Sequence, residues 1–231
     1  MVFHDFTDTI ISQINATLRV DGKELLQVSP LLEYINIKTK SANRGSKARG
    51  SFANLYAIYV LVEDYIKVVF DRKQDYKKYE GAIFSDLFTR QRELPFGEKL
   101  QNHALNHRLN EEFHKYFPTV EDTIIIRDIP TSRYWINTNL LNIKVSGKVY
   151  DISKTIICII NEYIKAKKNA FEKFIYSCEQ LQKLPSSDKE KVFSFISGLL
   201  EPNVDARLFE IVSFAILKYY YWDKKIFWGY D

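Results

Sequence analysis

Apolar residues recur at three- and four-residue spacing along most of the chain, and turn residues cut this pattern into helix-sized pieces. Residues 6–18 and 24–35 form two expected helices separated by the Asp21-Gly22 turn. Ser51 stands as the N-cap of a third helix reaching roughly Arg72, with Phe52, Leu55, Tyr56, Tyr59, Val60 and Glu63 on the face assigned to the core. After the charged stretch DRKQDYKKYEG, a helix over 82–92 ends near Pro95, because proline disfavours a continuing helix. Gly97 leads into an expected helix over 98–117, with Leu100, Ala104 or Leu105, Leu109, Phe113 and Phe117 on one face. Over 123–152 the pattern becomes β-branched and alternating, with breaks at Pro130, Asn137 and Ser146-Gly147, which predicts a small hairpin element. A long helix over 153–184 follows, then helices over 189–200 and 205–220. The expected fold is mainly α, a multi-helical domain with one small β element. A seam at 118–152 divides a first region (1–118) and the strands (119–152) from a helical region (153–231).

Charge changes the picture through its distribution. Lys and Arg exceed Asp and Glu by only 33 to 29, yet Lys38, Lys40, Arg44, Lys47 and Arg49 lie between Glu33 and Glu63 without one acidic residue. Lys38 immediately precedes, and the other four sit in, a Ser/Gly/Asn-punctuated segment, TKSANRGSKARGS. Cations gathered without counter-charge repel one another until an anionic partner neutralises them, and small residues between them let backbone approach a phosphate. The bland alternative is a solvated basic linker.

The segment LPFGEKLQNHALNHRLNEEF carries the most specific side-chain chemistry. Gln101, Asn102, Asn106, Arg108 and Asn110, beside His103 and His107, make a polar face rich in amides and poor in the Lys/Glu pairs that favour a solvated helix. Amides suit bidentate contact with adenine and arginine suits guanine; the structural alternative is amides bonded to neighbouring loops. Arg90, Arg92 and Lys99 flank this segment, and Arg127 and Arg133 bracket the IPTSRYW turn, placed for phosphates or for salt bridges to Glu93, Asp122 or Asp128.

His103 and His107 have the spacing of a paired metal site, with Glu111 continuing the row. Ala104 stands where a zinc peptidase needs Glu, and no third His or Cys completes a shell. Asp75-Tyr76-Lys77 and Asp223-Lys224-Lys225 fit a D-x-K spacing, with Glu210 on the helix before the second, as nuclease chemistry around a divalent ion would need. Phosphate-loop, dinucleotide, CxxC and nucleophile-elbow motifs are missing. Cys158 and Cys178 fall on one expected helix, too far apart to pair, and no signal peptide or membrane-length apolar run is present, so a cytoplasmic protein with no membrane partner is expected.

Three stretches, GSKARGSFANLYAIYVLVEDY, LPFGEKLQNHALNHRLNEEF and DARLFEIVSFAILKYYY, resemble segments in the amino-terminal part of a group of bacterial type II restriction endonucleases. The resemblance implies a sequence-specific, Mg-dependent double-strand DNA endonuclease of the PD-(D/E)xK type, whose first part is a helical recognition region. Glu210, in LFEIVSFAILK, matches the helix glutamate that precedes the catalytic strands. The strands expected to carry the metal-binding Asp and the later acidic residue have no counterpart before Asp231. The chain therefore resembles a recognition region whose catalytic part is incomplete, with Mg expected for the parent nuclease and not for this chain alone. On this reading Lys38, Lys40, Arg44, Lys47 and Arg49 hold phosphates, Gln101, Asn102, Asn106, His107 and Arg108 read base edges, and Arg90, Arg92, Lys99 and Arg133 flank them. Double-stranded DNA is the expected partner, and a homodimer follows from the two-fold symmetry of most recognition sites. Two alternatives remain: a complete small nuclease using Glu210, Asp223 and Lys225, and a non-catalytic helical adaptor binding RNA or an acidic protein.

Overall fold

The computed structural model describes residues 5–41, 48–183, 188–200 and 206–221, and over these residues the protein is mainly helical. Helices α1 (Thr7–Leu18) and α2 (Gly22–Val28) meet at Asp21, whose carboxylate accepts from the Lys23 N–H at 2.9 Å and caps α2. The apolar pattern runs α2 into the next helix, but the structure divides them at Ser29-Pro30. Pro30 has no N–H to extend α2, yet its fixed φ suits the first position of α3 (Pro30–Ser41). The Ser29 hydroxyl caps α3 by accepting from the Leu32 N–H at 3.3 Å.

Helix α4 (Ala48–Ile66) starts three residues before Ser51, which is buried inside it and is not its cap. Every residue from Leu55 to Val62 is buried, so this helix is apolar all round, as a core helix must be. It packs against α3, against the helices Phe84–Glu93 and Ser153–Lys183 and against the strand Arg133–Ile136. A π-turn, Lys67–Asp71, carries it on to the expected end near Arg72. Glu63 does not face the core; it is half-buried at the rim and ion-paired.

A two-residue strand, β1 (Ala82–Ile83), precedes α5 (Phe84–Glu93), which stops at Leu94 before Pro95. The helix expected over 98–117 begins later. Residues 97–102 are turn and irregular chain, and α6 (Leu109–Tyr116) is reached through a second π-turn, Ala104–Arg108. Adjacent Ala104 and Leu105 both join Leu109 and Phe113 in the core.

The strand region is two pieces. Strand β3 (Arg133–Ile136) lies between β1 and β2 (Ile125–Asp128), antiparallel to both, with Tyr134 opposite Ala82 and Arg127. Strands β4 (Asn142–Val145) and β5 (Lys148–Asp151) form a separate hairpin whose two-residue turn, Ser146-Gly147, has φ of 47° and 79°. Ile125, Tyr134, Ile136 and Ile143 join the same core as the helices on either side.

Helix α7 (Ser153–Lys183) buries Ile156, Ile159, Ile160, Tyr163 and Ile164 against α1 and α4. Farther along, Phe171 and Tyr176 are exposed. Helices α8 (Lys189–Leu200) and α9 (Ala206–Tyr220) pack on each other. Cys158 and Cys178 both lie on α7, about 30 Å apart along the helix axis at 1.5 Å per residue, too far for a disulfide. Among the described residues no helix is long and apolar enough to cross a membrane.

Candidate nucleic-acid interface

The chain from Gly97 to His103 folds back over the end of α5, and glycine is what permits it. A Cβ at Gly97 would stand 2.5 Å from the Gln91 carbonyl oxygen and 2.7 Å from that of Leu94. The fold-back leaves an open groove of about 520 Å³ lined by Phe88, Arg92 and the stretch from Glu98 to His103. Arg92 is held in place by an Nε hydrogen bond to the Glu98 carbonyl at 2.8 Å and by its guanidinium, 5.8 Å from the Phe88 ring centre. Lys99, Gln101, Asn102 and His103 make no side-chain hydrogen bond or ion pair with any described residue.

One turn later the same residue types face inward. Asn110 grips β2 with both ends of its amide: Oδ1 accepts from the Ile125 N–H at 2.9 Å and Nδ2 donates to the Ile125 carbonyl at 2.8 Å. Asn106 Oδ1 accepts from the Tyr134 hydroxyl at 3.1 Å, and its carbonyl accepts from Arg127. These amides pin the π-turn and α6 to the sheet. Asn106, expected on the reading face, is therefore a structural residue.

Beyond them lies a buried polar hub. Glu112 receives the Lys38 ammonium on Oε1 and the Asn54 amide on Oε2 at 2.5 Å. Asn54 is fully buried and also donates to the Tyr34 hydroxyl at 2.9 Å. Lys38, only 2% exposed, lies between the Tyr34 and Tyr116 rings, 5.2 and 4.9 Å from their centres. Burial, and then the Glu112 charge, push the Tyr34 hydroxyl well above the usual tyrosine range, so it stays protonated. Lys38 thus closes an internal ion pair and is not offered to a phosphate. The Glu112 carboxylate offsets the cost of burying the Lys38 ammonium there.

Arg108, 54% exposed, stands at the outer edge of this hub with Nε 3.9 Å from Glu112 Oε2. His107 beside it is exposed. Lys40 makes a loose pair with Asp5 at 3.6 Å between two well-exposed side chains, which solvent screens. Arg44 and Lys47 lie outside the described residues, and of Arg49 only the backbone, in the first turn of α4, is described.

Two flanking arginines are taken up internally. Arg90 donates from Nε and Nη2 to the two oxygens of Glu63, each at 2.9 Å, and from Nη1 to Glu93 at 3.2 Å. Those bonds hold the Glu63 carboxyl below the usual glutamate range. Arg133 donates from Nη1 to the Gly81 carbonyl at 3.0 Å and ties β3 to the turn before β1.

Among the described residues no group of three or more His, Cys, Asp and Glu stands where it could hold a metal ion. His103 just before the π-turn, His107 on it and Glu111 on α6 are all exposed. Asp75 caps a short 3₁₀ turn by accepting from the Lys77 N–H at 3.0 Å, which accounts for that D-x-K triplet. The backbone of Glu210 lies in α9, its side chain is not described, and Asp223 and Lys225 lie outside the described residues.

Compared with family models, curated proteins and solved structures, the chain matches none.

Glu112, Asn54, Tyr34 and Gly50 were not singled out by the sequence. One signal was present: Asn54 interrupts an apolar run between Phe52 and Leu55, and a polar residue there must find a buried partner. Nothing local names Glu112, 58 residues away, as that partner.

Proposed function

We propose that the protein binds duplex DNA sequence-specifically, as the recognition region of a type II restriction endonuclease whose parent activity is Mg-dependent hydrolysis of DNA. One observation carries the reading. The fold satisfies Asn106 and Asn110 internally and leaves Lys99, Gln101, Asn102, His103 and His107 unpaired on one continuous stretch next to Arg108. Unpaired amides in a groove are poor choices for a merely solvated surface and suited to base edges. Lys40, Arg44, Lys47, Arg49, Arg92 and Lys99 serve the phosphates, and Gln101, Asn102, His107 and Arg108 serve the bases. Backbone contacts set register and affinity, and base contacts set preference. Two copies arranged about a dyad would match a palindromic site.

Selection from randomised duplex DNA at moderate salt, with Mg present and products resolved on a gel, tests the reading. Enrichment of one short motif, with affinity falling steeply as salt rises, is the expected result. The absence of both enrichment and duplex binding would overturn it. Single-stranded RNA competing as well as duplex DNA would favour the adaptor, because single-stranded RNA offers no major groove to read.

A further inference from the structure

We propose that Gly50 and Glu112 are positioning residues, which together set the Arg108 guanidinium over the first turn of α4 as the contact that discriminates between bases. The inference rests on the DNA-recognition reading and adds which side chain carries preference and what aims it.

A long exposed side chain must be ordered when it docks, and one already held needs less ordering. Arg108 is exposed, yet touched from two sides. On one side is Gly50: a Cβ there would stand 3.1 Å from Arg108 Nη2, 3.6 Å from Cζ and 4.0 Å from Nη1, so the guanidinium lies against the bare glycine. Glycine is the poorest helix former after proline, and Gly50 is in helical conformation, so its own backbone does not call for glycine. The guanidinium does. On the other side is Glu112, 3.9 Å from Nε, which cannot follow a moving arginine because Lys38 and Asn54 hold its two oxygens. Lys38 lies on α3 and Asn54 on α4, so the hub ties both helices flanking the basic segment to the residue that reads. A bidentate contact tolerates displacements of only about 0.5 Å, so small shifts of this guanidinium cost preference.

The experiment is a thermodynamic cycle of wild type, Gly50→Ala, Arg108→Ala and the double variant. Each is followed by thermal unfolding and by binding to the selected duplex and to a scrambled one at several salt concentrations. The added methyl displaces the flexible end of Arg108 and favours the helix, so Gly50→Ala is expected to keep its Tm or raise it by up to about 2–4 °C. Its preference for the selected duplex should fall about tenfold with an unchanged salt slope. On the Arg108→Ala background the same change should cost nothing more. The double variant Lys38→Met/Glu112→Gln removes both charges of the pair without stranding either. It should lower preference when Arg108 is present and have no effect on preference when it is absent. Unchanged preference in Gly50→Ala, or an equal loss without Arg108, overturns the proposal while leaving DNA recognition standing. A wild-type chain that prefers no duplex overturns both.

Discussion

The turns at 98–103 and the stretch at 106–112 are neighbours made of the same kinds of residue, and the fold treats them oppositely. In the second, Asn106, Asn110 and Glu112 each bond across the structure, to Tyr134, to Ile125, and to Lys38 and Asn54. In the first, the side chains of Lys99, Gln101, Asn102 and His103 bond to no described residue. Amide content alone therefore says little about binding; what matters is whether the amide is satisfied. The boundary between the two is the π-turn at Ala104–Arg108, where Asn106 bonds the sheet at Tyr134 and His107 and Arg108 stay exposed.

The contrast can be broken most forcefully at Glu112. Glu112→Ala strands the Lys38 ammonium in a buried site and is expected to cost about 3–5 kcal/mol of stability, measured by urea unfolding. Asn110→Ala removes two hydrogen bonds to β2 and leaves the Ile125 backbone without those partners; a loss of about 2–3 kcal/mol is expected by the same measurement. On the groove side the expectation reverses. Gln101→Ala and Asn102→Ala should each change stability by less than about 0.5 kcal/mol while reducing discrimination between duplexes by about 1–3 kcal/mol. If either destabilised the fold as Asn110→Ala does, the division between the two stretches would be wrong.

Acid titration sharpens the same distinction at Arg90. Because the folded pKa of Glu63 is lowered, its contribution to stability is complete above the unfolded glutamate value of about 4.3 and is lost as pH falls through the folded value. Wild type should therefore exceed Glu63→Gln in stability at neutral pH, and the gap should close on acidification below about pH 4. The smallest effect is expected at Lys99: Lys99→Ala should weaken all duplexes alike and reduce the salt slope by about one.

Much of the helix order was legible because its signals are local. Pro95 and Gly97 mark the end of α5, Asp21 the start of α2, and the alternation at 123–152 the strands. Pro30 was legible too as a first helical residue with Ser29 as its cap, yet the apolar periodicity on both sides masked it. Strand β1 was illegible: two residues at the head of a helical pattern become a strand only because Tyr134 and Arg133 lie alongside. The candidate site was half legible. The composition of 98–110 marked the segment, but Lys38, Arg90 and Asn106 are as polar in sequence as Lys99 or Gln101, and nothing local separates them.

The sequence by itself determined a mainly helical protein, the approximate limits of most of its elements, and the segments where cations and amides concentrate. Periodicity, caps and turn residues act over a few positions, so they can be read along the chain. Only the tertiary structure decided which of those polar groups are taken up and which remain available. Asn110 meets Ile125 across 15 residues, Asn54 meets Glu112 across 58, and Lys38 meets Glu112 across 74. Hydrogen bonds at such separations leave no local pattern, because they form only when packing of the apolar faces brings distant elements together.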